Sequence, residues 1–323
     1  MKALLCKELG SFEDLSIETV DDPVPGKGEV VIDIAAAGIN FPDLLVVAGK
    51  YQFQPPLPFV PGGECSGTVS AVGEGVKRVQ VGDRVIAMGL VGAFAEKMTI
   101  SEHATLPIPA GMSFETAAGI AFTYGTSYYA LEQQAQLKAG ETLLVLGAAG
   151  GVGMAAVEIG KQKGARVIAA ASSDEKLDAA QAAGADLRIN YTTEPLKERV
   201  KELTEGQGAD VVYDPVGGDY SEQALRATGW NGRFLVIGFA AGEIPKIPLN
   251  LALLKSAHII GVFWGAWIKR EPAESANNFR KLQQLFESGE LKPRVTPYPL
   301  ADFRSALGAL AGRRAVGKLV LTP

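Results

Sequence analysis

The sequence predicts an α/β protein in which a barrel-like β domain is interrupted by a doubly wound parallel sheet. Three observations point there. Residues 1 to about 120 carry short β-branched runs broken by Gly, Asp and Pro at turn spacing. From residue 141 onward, strand-like runs alternate with helical ones, the pattern of βαβ units with right-handed crossovers. Between residues 143 and 160, "LLVLGAAGGVGMAAVEIG" takes an apolar strand through a glycine-rich turn into a helix. With 323 residues, about two domains are expected.

In order along the chain, "EVVIDIAAAGI" and "GTVSAVGEGVKRVQVGDRVIAM" read as strands of the β domain. Gly73, Gly75 and Gly82 are turn candidates, and the valines between them alternate as on a half-buried strand. "SFETAAGIAFTYGTSYYALEQQAQL" changes period, with a helix starting at Ser113 and another over Tyr128 to Leu137. The repeated strands are "TLLVLG", "RVIAAA", "LRINY", "ADVVYDPVG", "GRFLVIGF" and "HIIGVFWG". Between them, "GGVGMAAVEIGKQKGA", "SDEKLDAAQAAGA", "EPLKERVKELTEG" and "YSEQALRATGW" have helical spacing, with Gly at or near their ends. After about residue 267, "ESANNFRKLQQLFESGELKP" is an amphipathic helix with a glycine stop, and "GKLVLTP" a returning strand. The expected division is residues 1–122 and 268–323 for the β domain and 123–267 for the parallel sheet. Composition alone does not reveal that the tail rejoins the β domain.

A net charge of -5 gives no attraction to nucleic acid or to an acidic membrane. No apolar run reaches the roughly 18 residues of a membrane span. The opening "MKALLCKELGSFEDL" lacks the long apolar core and small-residue cleavage site of a signal peptide. Cys6 and Cys65 make no disulfide framework, so a cytoplasmic location is expected. His103 and His258 are the only histidines, too few for a His-rich metal site, and both read as ordinary side chains.

A phosphate-binding turn needs exposed backbone N–H groups at a helix N-terminus and no side chain at the point of closest approach. In "GAAGGVG", Gly150 and Gly151 suit that approach and Gly153 lets the helix pack on the strand, with Ala149 and Val152 counted among the loop's expected cofactor contacts. Ala148 then stands where the usual tight-turn glycine would be. A dinucleotide cofactor follows from this loop in its strand–turn–helix setting, although a glycine-rich turn by itself can be featureless. The next strand tip selects which dinucleotide. An NAD site carries an acid about 20 residues beyond the glycines to accept the ribose hydroxyls. Here "RVIAAASS" ends without one, and Ser172, Ser173 and Lys176 suit a 2′-phosphate instead, so NADPH is expected. Asp174 is the one unfavourable charge. The two serines also suit a helix cap, which uses the same N–H groups.

The order "GEVVIDIAAAGINFPDLLVVAGKY", "PFVPGGECSGTVSAVGEGVKRVQVGDRV", "GTSYYAL" and "GAAGGVG" resembles the medium-chain dehydrogenase/reductase superfamily along essentially the whole chain. Within it, the chain is most similar to the zinc-free quinone oxidoreductase branch, with its ζ-crystallin-like members. The resemblance implies a GroES-like β-barrel catalytic domain with an inserted Rossmann domain, and a homodimer. Zinc-dependent members carry a metal on Cys, His and a further Cys or acid. The matching positions here are Asn40, Gly63 and the vicinity of Phe122, which leave no thiolate or imidazole. Cys65, beside Glu64, reads as a small buried residue. Without a Lewis acid to make an alkoxide, alcohol oxidation is disfavoured, and reduction of an already electrophilic substrate remains.

The resemblance also implies site residues. Tyr51 matches a tyrosine that lines the site in this branch and donates a proton in related enoyl thioester reductases. A phenol near pKa 10 can donate to an oxygen that gains charge. Asn40 and Thr126 resemble polar residues that bracket the nicotinamide, though Asn40 also suits a turn and Thr126 a helix cap. Further cofactor contacts carried over by position are Pro61, Tyr191, Phe239, Ala240, Phe263, Trp264 and Lys318, each of which could instead be core or rim. Asp43 suits a structural role, tying its loop through backbone hydrogen bonds. The expected function is NADPH-dependent, metal-independent reduction of quinones or other conjugated carbonyls. Two alternatives stay open. An enoyl-CoA reductase would need a basic patch, for which Lys269 with Arg270 and Arg313 with Arg314 are candidates; the other is a non-catalytic NADPH-binding protein.

Overall fold

The β-branched run Glu29–Gly38 is the central strand of a seven-stranded sheet. One edge pairs antiparallel with Glu64–Val72; the other takes Lys97–Ser101 along its first half and Lys318–Thr322 at its end. Val295–Pro299 extends that side by pairing parallel to Lys318–Thr322. This computed structural model describes residues 1–323, and the sheet belongs to a unit made of residues 1–122 and 293–323. Its core gathers Leu4, Ile32, Val69, Phe94, Phe303 and Leu321, all buried. Each such side chain contributes about 1.5–3 kcal/mol by leaving water. The register sets Gly38 opposite Glu64 on one side and Val320 on the other. Asn40 follows Gly38 by two residues and Lys318 precedes Val320 by two, so both reach the end of the sheet where Glu64 sits.

The second unit, residues 123–292, holds a six-stranded sheet with all pairings parallel. Its spatial order is Leu187–Asn190, Arg166–Ala171, Thr142–Leu146, Ala209–Asp214, Thr228–Val236 and His258–Gly261. In chain order that is three-two-one-four-five-six, the doubly wound arrangement whose reversal lies beside the first strand. Each expected strand of the repeat is present, and the fold class read from the sequence is the one observed. The last strand is shorter than "HIIGVFWG" suggests: it stops at Gly261, and a helix over Trp264–Arg270 follows. Tyr128–Leu137 is also not one separate helix, because Ala121–Tyr129 is α-helical and Ala130–Gln134 continues it as a π-helical turn.

The first division falls between residues 122 and 123, but the chain rejoins the first unit at residue 293 and not at 268. The amphipathic helix Pro272–Glu287 accounts for the difference. It packs on the second unit through Phe279 against Trp264 and Phe286 against Tyr124. Asn278 and Gln133 also exchange side-chain amide hydrogen bonds at 2.8 and 3.1 Å. An apolar stripe records that a helix is packed, not which partner it packs against.

Candidate active site

In the second unit the glycine loop joins the strand Thr142–Leu146 to the helix Gly151–Gln162. The left-handed residue of the turn is Gly147 (φ +56°), one position before Ala148. Ala148 is therefore not at the strained position; it is buried, and its N–H donates to Ala170 O at 3.1 Å. A Cβ on Gly153 would lie 2.2 Å from Gly147 O, so the helix can seat on the turn only with glycine there. Gly150 is the N-cap and carries no side chain to cap the helix, so first-turn N–H groups stay available for an anion. Ser127, which the sequence did not single out, braces this turn: its Oγ bonds Val152 O at 2.9 Å and Tyr213 Oη at 2.8 Å. Thr126 lies beside it inside the helix Ala121–Tyr129, half-buried, and does not cap that helix.

The neighbouring strand tip brings Ser172, Ser173, Lys176 and Tyr191 together. Lys176 Nζ donates to Ser172 Oγ at 3.0 Å, while Ser173 Oγ caps the next helix by accepting from Lys176 N–H. The cap and the cationic corner thus coexist. Tyr191 N–H bonds Ala171 O, and its ring packs on Tyr220 at a tilt of 42° with centroids 4.3 Å apart. Asp174 is exposed, its carboxylate accepting from Asn190 Nδ2 at 3.4 Å. Phe239 and Ala240 lie in the loop after Thr228–Val236, where Ala240 N–H bonds Pro215 O at 3.0 Å. A Cβ on Gly147 would touch Val216, and one on Gly217 would touch Phe239, so this loop adjoins the glycine turn through residues 215–217. Phe263 is 58% exposed, whereas Trp264 is buried against Phe279 and Gly125, a core position.

The first unit holds Tyr51, Asn40, Pro61 and Lys318. Asn40 precedes the helix Phe41–Val47, and its N–H donates to Asp43 Oδ2 at 2.7 Å, the tie expected of Asp43. Burial pushes the Asp43 carboxyl up to about 7, against the downward pull of the Asn40 N–H and of Lys318. Tyr51 is half-buried against the apolar core, and its hydroxyl forms no hydrogen bond. Burial and then the nearby Asp43 charge raise its pKa, which keeps the phenol protonated. Pro61 is buried, its carbonyl accepting from Phe94 N–H at 2.9 Å. Lys318 is 6% exposed and makes its bonds inside the unit: Nζ donates to Glu64 Oε1 at 2.6 Å and to Asn40 Oδ1 at 2.5 Å. Glu64, fully buried, also accepts from Asn40 Nδ2 at 3.0 Å and from Phe122 N–H at 2.9 Å.

This donor set does not fit zinc. An ammonium lies between Asn40 and Glu64, and Gly63 and Phe122 offer no ligand atom on their side chains. Burial pushes the nearby Cys65 thiol up to about 12, away from the thiolate a metal needs. No three His, Cys, Asp or Glu side chains gather elsewhere. His103 stands 3.4 Å from Arg78, and His258 bonds Asn231 at 3.0 Å, ordinary surface pairings.

Comparison with known proteins agrees with this architecture. Residues 26–110 match the alcohol dehydrogenase GroES-like domain family, and residues 151–285 match the zinc-binding dehydrogenase family. A quinone oxidoreductase-like protein 2 homolog from Nematostella vectensis is 41% identical over 99% of this chain and 88% of its own length. The crystal structure of Escherichia coli quinone oxidoreductase complexed with NADPH superposes with a TM-score of 0.92, at 33% identity over 100% of both chains. An enoyl reductase structure superposes with a TM-score of 0.89, at 29% identity over 99% of this chain and 98% of its own. With the GroES-like and doubly wound units in place and no zinc-ligating side chain at Asn40, Gly63 or Phe122, the chain is an oxidoreductase belonging to the zinc-free quinone oxidoreductase branch of the medium-chain dehydrogenase/reductase superfamily.

Proposed function

We propose that this protein reduces quinones or other conjugated carbonyls with NADPH and without a metal. The observation that carries this reading is the corner of Ser172, Ser173, Lys176 and Tyr191 beside an uncapped helix N-terminus, with no carboxylate at the strand tip itself. Hydroxyls and an ammonium stabilise a 2′-phosphate that an acid at the tip would repel. The Escherichia coli relative complexed with NADPH supports the same choice. Ala149, Gly150, Gly151, Val152 and Gly153 receive the pyrophosphate at the helix N-terminus, and Phe239 and Ala240 adjoin that loop. Trp264 is left out of this set because it is core, and Phe263 remains its exposed neighbour.

When bound, NADPH supplies the hydride from its nicotinamide ring. The protein then has to orient the substrate and stabilise the oxygen that gains charge. Tyr51 is suited to the second role because its phenol is protonated and its hydroxyl is uncommitted. Asn40, Pro61 and Thr126 complete the nicotinamide surroundings in this reading. The structural likeness to an enoyl reductase supports a second reading, reduction of enoyl-CoA thioesters. The exposed pairs Lys269 with Arg270 and Arg313 with Arg314 are its candidate phosphate contacts. The test follows NADPH consumption with benzoquinone, phenanthrenequinone and acryloyl-CoA, each with and without chelator. Quinone turnover insensitive to chelator is expected; loss on chelation, or turnover of acryloyl-CoA alone, refutes the quinone reading.

The reading includes a homodimer. The strand His258–Gly261 is an open sheet edge with Ile259 41% exposed, and Leu253 and Leu254 stand 78% and 68% exposed nearby. An unpaired edge flanked by apolar side chains suits pairing with a second copy about a two-fold axis. No helix is long and apolar enough to cross a membrane. A cytoplasmic location is part of the proposal, supported by the free, buried Cys6 and Cys65.

A further inference from the structure

The second unit contains a second strand-to-helix turn built on glycines. "DPVGGD" carries the strand Ala209–Asp214 into the helix Asp219–Ala227, much as the glycine turn carries Thr142–Leu146 into Gly151–Gln162. Gly217 and Gly218 both have positive φ, +74° and +59°. Such a turn would suit an external anion if its N–H groups were open. They are not. Pro215 has none, Val216 and Gly217 N–H donate to Asp214 Oδ1 at 2.8 and 3.0 Å, and Gly218 N–H donates to Glu243 O at 3.1 Å. Asp214 Oδ2 accepts from Ser221 Oγ, in the first turn of the helix, at 2.5 Å. Asp214 and Ser221 are 3% and 1% exposed, so the acid at this turn is the protein's own. Burial raises the Asp214 pKa, while the Ser221 hydroxyl and the two N–H groups pull it back.

The loop so held touches both of the neighbours that the cofactor reading uses. On one side, a Cβ on Gly147 would lie 3.0 Å from Val216 and 3.7 Å from Pro215. On the other, Ala240 N–H donates to Pro215 O at 3.0 Å and Ala241 N–H to Val216 O at 2.7 Å. A Cβ on Gly217 would also lie 3.0 Å from the Phe239 ring. We propose that Asp214 and Ser221 are positioning residues for the cofactor: they fix residues 215–218, and through them the spacing between the glycine turn and the loop of Phe239 and Ala240. This rests on the NADPH reading. Neither side chain has to touch the cofactor, because a loop that leaves its binding conformation lowers apparent affinity by the fraction of molecules that keep it.

The test is NADPH affinity, measured on the full-length protein by fluorescence titration without substrate, beside a thermal melt of each variant. Asp214→Ala leaves the Val216 and Gly217 N–H groups without their acceptor. Affinity should fall about tenfold or more, as for a binding-competent fraction of about one tenth. Asp214→Asn keeps an oxygen for both N–H groups and turns an amide N–H toward Ser221 Oγ, whose hydrogen can bond a carbonyl of its own helix. Affinity should then stay within about threefold of wild type. Thr204→Val is the stability control, since Thr204 Oγ1 accepts from Gly208 N–H at 2.8 Å at the opposite end of the same strand. Its melting temperature should fall with NADPH affinity unchanged. Unchanged affinity in Asp214→Ala overturns the proposal, as does an equal loss in Asp214→Asn or in Thr204→Val. If Asp214→Ala does not fold, Ser221→Ala decides in its place, because it strips Asp214 Oδ2 of its partner. A loss of about threefold or more there supports the proposal, and unchanged affinity contradicts it. Absence of NADPH binding by the wild type would instead refute the cofactor reading, a separate outcome.

Discussion

At the scale of single residues, Asp43 links stability to pH in a sign that can be worked out. Its folded pKa of about 7 stands above the unfolded carboxyl value of about 3.9, so the native state binds the proton more tightly. The stabilisation this gives is full below pH about 4 and is lost as pH rises through about 7. Asp43→Asn removes that titration while an amide oxygen can still accept from the Asn40 N–H. Thermal melts should therefore show wild type losing stability relative to Asp43→Asn between pH about 4 and about 7; parallel curves would contradict the burial account. Tyr51 is assigned the proton or hydrogen bond to the substrate oxygen, and Tyr51→Phe should lower kcat by about 10²-fold with NADPH affinity unchanged. Unchanged rates would reduce it to a wall residue. The residues named from the sequence are legible in type and not in partnership. The sequence presents Lys318 as a cofactor contact, yet its partners lie 278 and 254 residues away, a separation no local pattern carries.

At the scale of elements, the glycine turn is legible because strand, turn and helix are each written in short-range pattern. The sequence does not say which residue bends: Gly147 takes the left-handed conformation, and Ala148 sits behind it in the core. Two substitutions separate the structural glycine from the ligand-facing one. Gly153→Ala places a methyl 2.2 Å from Gly147 O and should lower the melting temperature by several degrees. Gly150→Ala meets nothing closer than 3.4 Å, so the fold should hold while NADPH affinity falls at least about tenfold, because the methyl stands where phosphate must approach. Equal loss of melting temperature in both would contradict the division. Ser127 and Tyr213 carry no such local signal: a lone Ser in a helix and a Tyr in a strand become a brace only when the fold sets them 2.8 Å apart.

At the scale of the whole molecule, the alternation of strands and helices makes the doubly wound unit readable in order and nearly in length. The boundary at residue 293 is not readable, since the helix Pro272–Glu287 is amphipathic either way and only its contacts with Tyr124, Gln133 and Trp264 assign it. The open strand edge carries the prediction of assembly. Replacing Leu253 and Leu254 together by Glu should convert a dimer to a monomer in light scattering after size exclusion, without unfolding, since both side chains are largely exposed. A wild type already monomeric would remove the dimer from the account. Cofactor choice is the central claim, and it rests on Ser172, Ser173 and Lys176 at one strand tip. The most direct measurement is the ratio of kcat/KM for NADPH to that for NADH with one quinone. Charge-assisted bonds to the 2′-phosphate predict a preference for NADPH of about tenfold or more, reduced strongly by Lys176→Ala. Equal values with the two cofactors would contradict the account.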